Sequence, residues 1–353
     1  MKEATVMVVV GADVHKRTHT FVAVDAVGKQ LGKLTVEATT EGHFKALKWA
    51  GGQFGEVVWA IEDCRHLSAR LERDLLGAGQ AVVRVPPSLT AQLRSSGRQR
   101  GKSDPIDALA VARAFLQNPD LPVASHDEVS RELKLLVDRR EALVGHRTQL
   151  INTLRWRIHE LDPEHQVGPL NLAKHQNALR DWLAGRAGIV AELARDELMD
   201  IIDLTRREKQ LHQRISRLVE QVAPALLAMP GCGALTAAKL VGEAAGITRF
   251  ATPSKFARHA GVAPIPVWSG NNAGKVRLTR SGNREINAAL HRIAITQIRP
   301  GGAGKAYYDR KKGEGKSNRE ALRSLKRALI RTVFNNLTTD HHNRQNTAMP
   351  AAA

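Results

Sequence analysis

The sequence predicts an α/β domain followed by a largely helical remainder, on three observations. Five short runs rich in Val, Ile and Thr fall before Val85, the first three with no helix between them. Two long stretches with helical periodicity and dense charge follow, from Ser130 to Leu161 and from about Ile189 to Val222. A Pro-Gly hairpin and further helical segments close the chain.

Taken in order, VMVVVGAD is a buried strand. THTFVAVDA and KLTVEATT are two more, separated by the turn residues HKR and VGKQ. Glu41 to Gly51 reads as a helix, EVVWAIED as a fourth strand and LSARLERDLLGAG as an amphipathic helix ending in glycine. AVVRV is a fifth strand, stopped by Pro-Pro; after a basic loop, Asp104 to Gln117 is helical again. The order βββ-α-β-α-β-α, a meander followed by crossovers, matches a ribonuclease-H-like fold.

In that fold the first and fourth strands are neighbours, and acids at their ends meet acids on the last helix. Here those acids are Asp13, Glu62, Asp104 and Asp107. Asp104 followed by Pro105 also reads as an N-cap and N1 pair, with Asp107 favoured by the helix dipole. The i, i+3 spacing nevertheless puts both aspartates on one helix face. A cap does not account for Asp13 and Glu62. Four converging carboxylates repel unless a cation sits among them, and hard oxygen donors select Mg²⁺ or Mn²⁺. Asp63 competes with Glu62, because strand neighbours face opposite ways.

The loop before Asp104 carries Arg94, Arg98, Arg100 and Lys102 among Ser and Gly. It reads equally as a solvated loop and as a phosphate-contacting one. NPDLPVASHDE reads as a linker. The two long helices suggest a helical hairpin, a coiled coil or a bundle. Leu193, Ile201, Leu204, Leu211, Ile215 and Leu218 form the apolar stripe of the second, and Trp156 and Trp182 are expected packing anchors.

In AMPGCGALTAAKLVGE the third glycine of a dinucleotide fingerprint is missing, since Thr236 stands there. The stretch fits a helix-hairpin-helix instead, with Pro230, Gly231 and Gly233 in the turn and Ala237, Leu240 and Val241 facing the first helix. Backbone N–H groups of such a hairpin hold phosphate without reading sequence. A basic block follows, with Lys275, Arg277, Arg280, Arg284 and Arg292. On local chemistry alone Ser269, in a Gly/Asn-rich loop, is a turn residue, and Ser281-Gly282-Asn283 reads as a helix N-cap region. From Asp340 onward the chain is polar, then Ala-rich, and is expected to be disordered.

The net charge of +18 favours polyanionic partners, nucleic acid first. No apolar stretch is long enough to span a bilayer, and VMVVVGA is too short for a signal peptide. The two cysteines, Cys64 and Cys232, form no zinc pattern and point to a reducing cytoplasm. His15 and His19 flank the first hairpin turn, where a surface role is expected for both.

Five segments together resemble the DEDD transposases of bacterial insertion sequences, the bridge-RNA-guided recombinases. They are GADVHKRTHT, VVWAIEDC, GKSDPIDALAVARAF, MPGCGALTAAKLVGE and FARHAGVAPIPVWSGNNAGKVRLTRSGNREINAALHRIA. The resemblance implies a RuvC-like catalytic domain over residues 1–120, a helical hairpin or coiled coil over 127–222 and a C-terminal transposase domain over 223–340. Residues 341–353 would be a disordered tail. It maps the DEDD acids onto Asp13, Glu62, Asp104 and Asp107, and a nucleophilic serine onto Ser269, with Gly261 and Pro264 as landmarks. Many relatives carry two serines there; this chain has Trp268-Ser269. It further implies donor and target DNA, a structured guide RNA, a homo-oligomer (a tetramer), and a bacterial, nucleoid-associated location. Two other readings stand beside it: a metal-dependent junction resolvase or nuclease using the acids and water, and a non-catalytic nucleic-acid-binding protein.

Overall fold

The computed structural model describes residues 7–63, 67–96, 103–121, 123, 124, 127–266, 276–278 and 282–348. They form two compact units, Met1–Asp127 with Thr248–Ala251, and Glu128–Ile247 with Thr252–Ala353. Apart from Asp127 and Thr248–Ala251, the helical stretch expected over 127–222 and the C-terminal region over 223–340 fall within the second unit.

The first unit contains β1 (Val8–Val14), β2 (Thr18–Val24), β3 (Gln30–Glu37), α1 (Thr40–Phe54) and β4 (Val57–Glu62). α2 (Ala69–Gly77), β5 (Ala81–Val85), α3 (Pro87–Ser96) and α4 (Asp104–Gln117) complete it. The five strands make one mixed sheet in the order β3-β2-β1-β4-β5. β1 pairs antiparallel with β2 and parallel with β4, so the first and fourth strands are neighbours as expected. The expected order lacked α3: Pro-Pro ends β5, but Pro87 then opens a helix, where a missing N–H costs nothing. The expected linker is also tied to the sheet. Val123 bridges Val83, the Ala124 N–H donates to Val82 O at 2.7 Å, and Ala124 is buried.

Strand alternation splits the hydrophobic residues between two faces. Val8, Val10, Ala12 and Val14 pack with Trp59, Ile61 and the inner sides of α1 and α2, including Ala46, Ala50, Leu71 and Leu75. Phe21 meets Trp59 edge to face at 5.5 Å, and the buried Trp59 indole donates to Gln80 at 3.0 Å. On the other face Val9, Val22, Ala60, Val83 and Val85 pack against Ala108, Val111, Ala112 and Phe115 of α4. α4 lies hard against β1 at Gly11. A methyl group at Gly11 would overlap the carbonyl oxygen of Ala108 and lie 2.7 Å from the Ala112 nitrogen.

His19 is not at the surface. It is buried in β2 and stacked on His43 at 5.2 Å; burial first, then the His43 ring, pushes it down to about 4. His43 in turn meets Asp74 Oδ2 at 2.6 Å through Nδ1.

The second unit begins with α5 (Glu128–Leu161), α6 (Ala173–Ala184) and α7 (Ile189–Val222). α5 and α7 lie along one another, with α6 on α7. Ala194, Leu198, Ile201, Leu204, Ile215 and Val219 are the buried stripe of α7; Leu193, expected in it, is exposed. Trp156 is 74% exposed and anchors no core, whereas Trp182 packs on the α5–α7 core, stacked with His165 at 3.8 Å.

Next come α8 (Pro224–Leu227), α9 (Ala234–Ala244), a 3-10 turn (Ile247–Arg249), α10 (Pro253–His259) and the short pair β6 (Pro264–Pro266) and β7 (Val276–Leu278). α11 (Arg284–Gln297), α12 (Lys305–Gly313) and α13 (Asn318–Ala348) end the unit. α9 is buried on every side from Thr236 to Ala244, not on one face alone. The tail expected to be disordered is helical to Ala348. Asp340 is fully buried and accepts the Ala225 and Leu226 N–H groups at 2.8 and 3.2 Å, which caps α8. Among the described residues no helix is long and apolar enough to cross a membrane.

Gly11→Ala is expected to destabilise the protein by about 1–3 kcal/mol, because α4 must shift as a body to admit the methyl group. Urea unfolding followed by circular dichroism measures it. An unchanged midpoint would mean that α4 does not rest on Gly11.

Candidate active site

The parity of β1 and β4 decides which carboxylates meet. Val9 and Gly11 face α4, so Asp13 does too. Val58 and Ala60 face α4, so Glu62 does too, one residue beyond the parallel pair Ala12 and Ile61. Asp63 takes the opposite parity, with Arg84. Burial works against the Arg84 charge, but Glu72, bonded to its Nε at 2.6 Å, and then the Asp63 charge outweigh it. Glu62 is therefore the better partner for Asp13.

α4 starts one residue earlier than the cap reading expected. Ser103 holds the N-cap position with extended backbone, so Asp104 is the first helical residue and Pro105 the second. Proline is tolerated there because the first N–H groups of a helix have no intrahelical partner. Asp104 is thereby left out of capping, and half of its side chain is exposed. Asp107, one turn on, is buried, and its N–H donates to Ser103 O at 3.0 Å.

His15, the first residue after β1, completes the cluster. Its Nε2 lies 3.0 Å from Asp13 Oδ2 and 3.5 Å from Asp104 Oδ1. One donor atom each from Asp13, His15 and Asp104 lies within 4.8 Å of the others; Glu62 and Asp107 fall outside that group. Burial holds the Asp13 carboxyl above the usual carboxylate range; His15 opposes this, and the charges of Asp107 and Asp104 add to it. Crowded oxygen donors with one acid reluctant to ionise are the environment a divalent cation relieves, so these residues fit such an ion.

Glu62 is held separately. Its Oε1 accepts a hydrogen bond from the Thr90 hydroxyl at 2.6 Å, and Thr90 is fully buried in α3. Neither Thr90 nor His15 was expected at the site. Thr90 sits in a stretch that reads as a loop, and His15 in an ordinary hairpin turn.

Ser269 lies in residues 267–275, outside the described residues, as do Arg98, Arg100, Lys102, Lys275 and Arg280. Arg94 falls in α3 and Arg277 in β7, while Arg284 is exposed at the start of α11. β6 and β7 pair antiparallel on either side of Ser269. Below them Gly261, at φ +67°, and Gly282 touch backbone to backbone, too closely for a side chain at Gly282. Asn283 caps α11, its Oδ1 accepting the Glu285 and Ile286 N–H groups at 3.0 Å, while its Nδ2 donates to Glu243 at 2.7 Å. Lys134 donates to the same Glu243, also at 2.7 Å, and the buried Lys239 joins Glu141 and Glu285 at 2.7 and 2.8 Å. Between α8 and α9, Gly231 has φ +81°, and a Cβ there would lie 3.1 Å from Thr296 and 3.2 Å from the Ile293 carbonyl of α11, while Gly233 is exposed at the N-terminus of α9. The Cys232 thiol between them is buried and pushed up to about 12, chiefly by that burial.

Two family models match the chain. DEDD_Tnp_IS110, described as a transposase, covers residues 10–162, and the transposase IS116/IS110/IS902 family covers residues 223–309. The chain belongs to the DEDD transposase family of insertion sequences. It is thus a DNA-recombining enzyme by family. The 44.8 kDa protein of insertion element IS116 from Streptomyces clavuligerus is 28% identical, over 92% of this chain and 93% of its own. The 43.6 kDa protein of IS110 from Streptomyces coelicolor is 24% identical over 93% of each. The 42 kDa protein of IS900 from Mycobacterium paratuberculosis is 27% identical over 79% and 82%. Among solved structures, T. thermophilus RuvC in complex with a Holliday junction substrate aligns with 31% of this chain and 95% of its own. Its TM-score of 0.25 at 16% identity is too slight to carry an argument.

Because the folded Asp13 carboxyl is raised, its contribution to stability is lost as pH rises through that raised value. Without divalent metal at neutral pH, Asp13→Asn is expected to raise the unfolding temperature by about 2 °C or more. The gain should shrink as pH falls through the raised value and vanish below about 3, under the ordinary carboxyl value of about 3.9, where the native acid is protonated in both states. Calorimetry in chelator tests this; a lower unfolding temperature at neutral pH would contradict it.

Proposed function

We propose that this transposase cleaves and rejoins DNA through a serine nucleophile, Ser269, beside a divalent-metal site made by Asp13, Glu62, Asp104 and Asp107. The observation that carries the reading is the meeting of Asp13 of β1 with Asp104 of α4, with Glu62 of β4 on the same face of the sheet. A Mg²⁺ or Mn²⁺ ion bound there would neutralise the acids and stabilise negative charge building on a phosphodiester.

In the proposed reaction Ser269 Oγ attacks phosphorus and the bond to the 3′ oxygen breaks. The serine proton leaves, the departing 3′ oxygen gains one, and the 5′ phosphate stays on the serine. A 3′-OH from a second strand then attacks the phosphoserine and releases Ser269. Bond energy is carried through the ester, so no nucleotide cofactor is needed. The paired strands β6 and β7 and the capped start of α11 support a loop presented from a fixed base.

The reading includes a structured RNA from the element, paired with donor and target DNA, so that base pairing reads sequence and the protein reads backbone. It includes a tetramer in which serine and acids meet between protomers. The +18 charge supports two bound polyanions. Arg94, Arg98, Arg100, Lys102, Lys275, Arg277, Arg280 and Arg284, with the hairpin glycines Gly231 and Gly233, are the proposed contacts.

A trapping assay tests the chemistry. Purified protein, Mg²⁺, the element's flanking RNA and labelled donor and target DNA are mixed and denatured without protease. DNA migrating with protein is expected, and its loss to background in Ser269→Ala and Asp13→Asn. Free cuts that survive Ser269→Ala would make water the nucleophile and the enzyme a hydrolytic nuclease.

A further inference from the structure

Among the described residues His15 is the one non-carboxylate grouped with Asp13 and Asp104, and its placement goes beyond a hydrogen bond to one neighbour. Its Nε2 stands between two acids from different elements, 3.0 Å from Asp13 Oδ2 and 3.5 Å from Asp104 Oδ1. Octahedral bonds of about 2.1 Å put neighbouring donors about 3.0 Å apart. The Asp13–His15 spacing equals that edge, and the Asp104–His15 spacing is within a small side-chain adjustment of it. The ring is carried on a fixed turn: the His15 N–H donates to Thr18 O at 3.0 Å, closing the β1–β2 hairpin. Side-chain exposure of 48% leaves the ring free to turn toward an ion.

We infer that His15 is a nitrogen ligand of the metal site, which it biases toward Mn²⁺ and against Mg²⁺. The inference rests on the reading that the acids hold a divalent cation. Its chemistry is that of the donor. Mg²⁺ demands hard oxygen ligands and gives up water reluctantly, whereas imidazole nitrogen suits first-row transition ions. In the neutral ring Nδ1 carries the proton and Nε2 offers its lone pair to the ion. Without an ion, the same nitrogen shares a proton with Asp13. Two carboxylates and one imidazole then make a mixed donor set where the four acids alone would make an all-oxygen one.

The test uses metal-stripped full-length protein and Mn²⁺ as the only probe. Electron paramagnetic resonance of free Mn²⁺ gives the affinity, and electron spin-echo modulation of the bound ion reports directly coordinated nitrogen. The native chain should show one nitrogen coupling. It should change to the ¹⁵N pattern when the 14 histidines are ¹⁵N-labelled, and disappear in His15→Ala. Mn²⁺ should dissociate about tenfold more readily from His15→Ala, with Mg²⁺, read by competition, changing by less than about threefold. Bound Mn²⁺ that needs Asp13 but carries no nitrogen coupling would overturn the role of His15 and leave the acid site standing. Mn²⁺ that fails to bind, or binds Asp13→Asn as well as the native chain, would overturn both.

Discussion

The close approach of α4 to β1 at Gly11 is the contact on which the site depends. With no side chain at that position, the helix backbone at Ala108 and Ala112 rests almost directly on the strand. α4 therefore starts beside the end of β1, and its first turn delivers Asp104 and Asp107 to the face that carries Asp13. A larger residue at Gly11, or larger ones at Ala108 and Ala112, would lift the helix and separate the acids. The small residues of GAD and of DALAVARA are thus one packing device with a chemical consequence.

The same arrangement loads the site electrostatically. Asp13 is buried beside two aspartates of α4, and its carboxyl is held above the usual range even with His15 in contact. Folding tolerates this because the sheet and α4 bury a continuous apolar face around it. Such crowding opposes stability, and in the proposed reading a bound cation relieves it. Thr90 does a different job: it fixes the Glu62 carboxylate from a helix that packs on α4.

Much of this was legible in the sequence. Alternation of β-branched residues located the five strands, and their order alone put Asp13 beside Glu62. The i, i+3 pair in SDPID put two more acids on one helix face. What escaped had local causes. PPSLTAQLRSS reads as a loop because two prolines and several serines mask the i, i+4 pair Leu89 and Leu93 that face the core. Asp-Pro reads as a cap pair, yet Ser103 takes the cap position because proline is accepted at the second helical residue as well as the first. His15 and His19 look alike beside a turn; strand parity sends one to the acids and buries the other. The polar end of α13 looks unstructured until Asp340 is seen to serve a distant helix start, a tertiary role that no local pattern encodes.

In the second unit, the buried pairs around Lys239 and Glu243 tie α5, α9 and the cap of α11 together beneath the strands that flank Ser269. In the proposed reading that unit carries the serine and the first carries the ion site. The most direct measurement of the central claim is anomalous diffraction from crystals of the native protein grown with Mn²⁺. A peak bounded by Asp13, Asp104 and His15 is the predicted result. A map with no peak there, at an ion concentration that supports strand cleavage in solution, would contradict it.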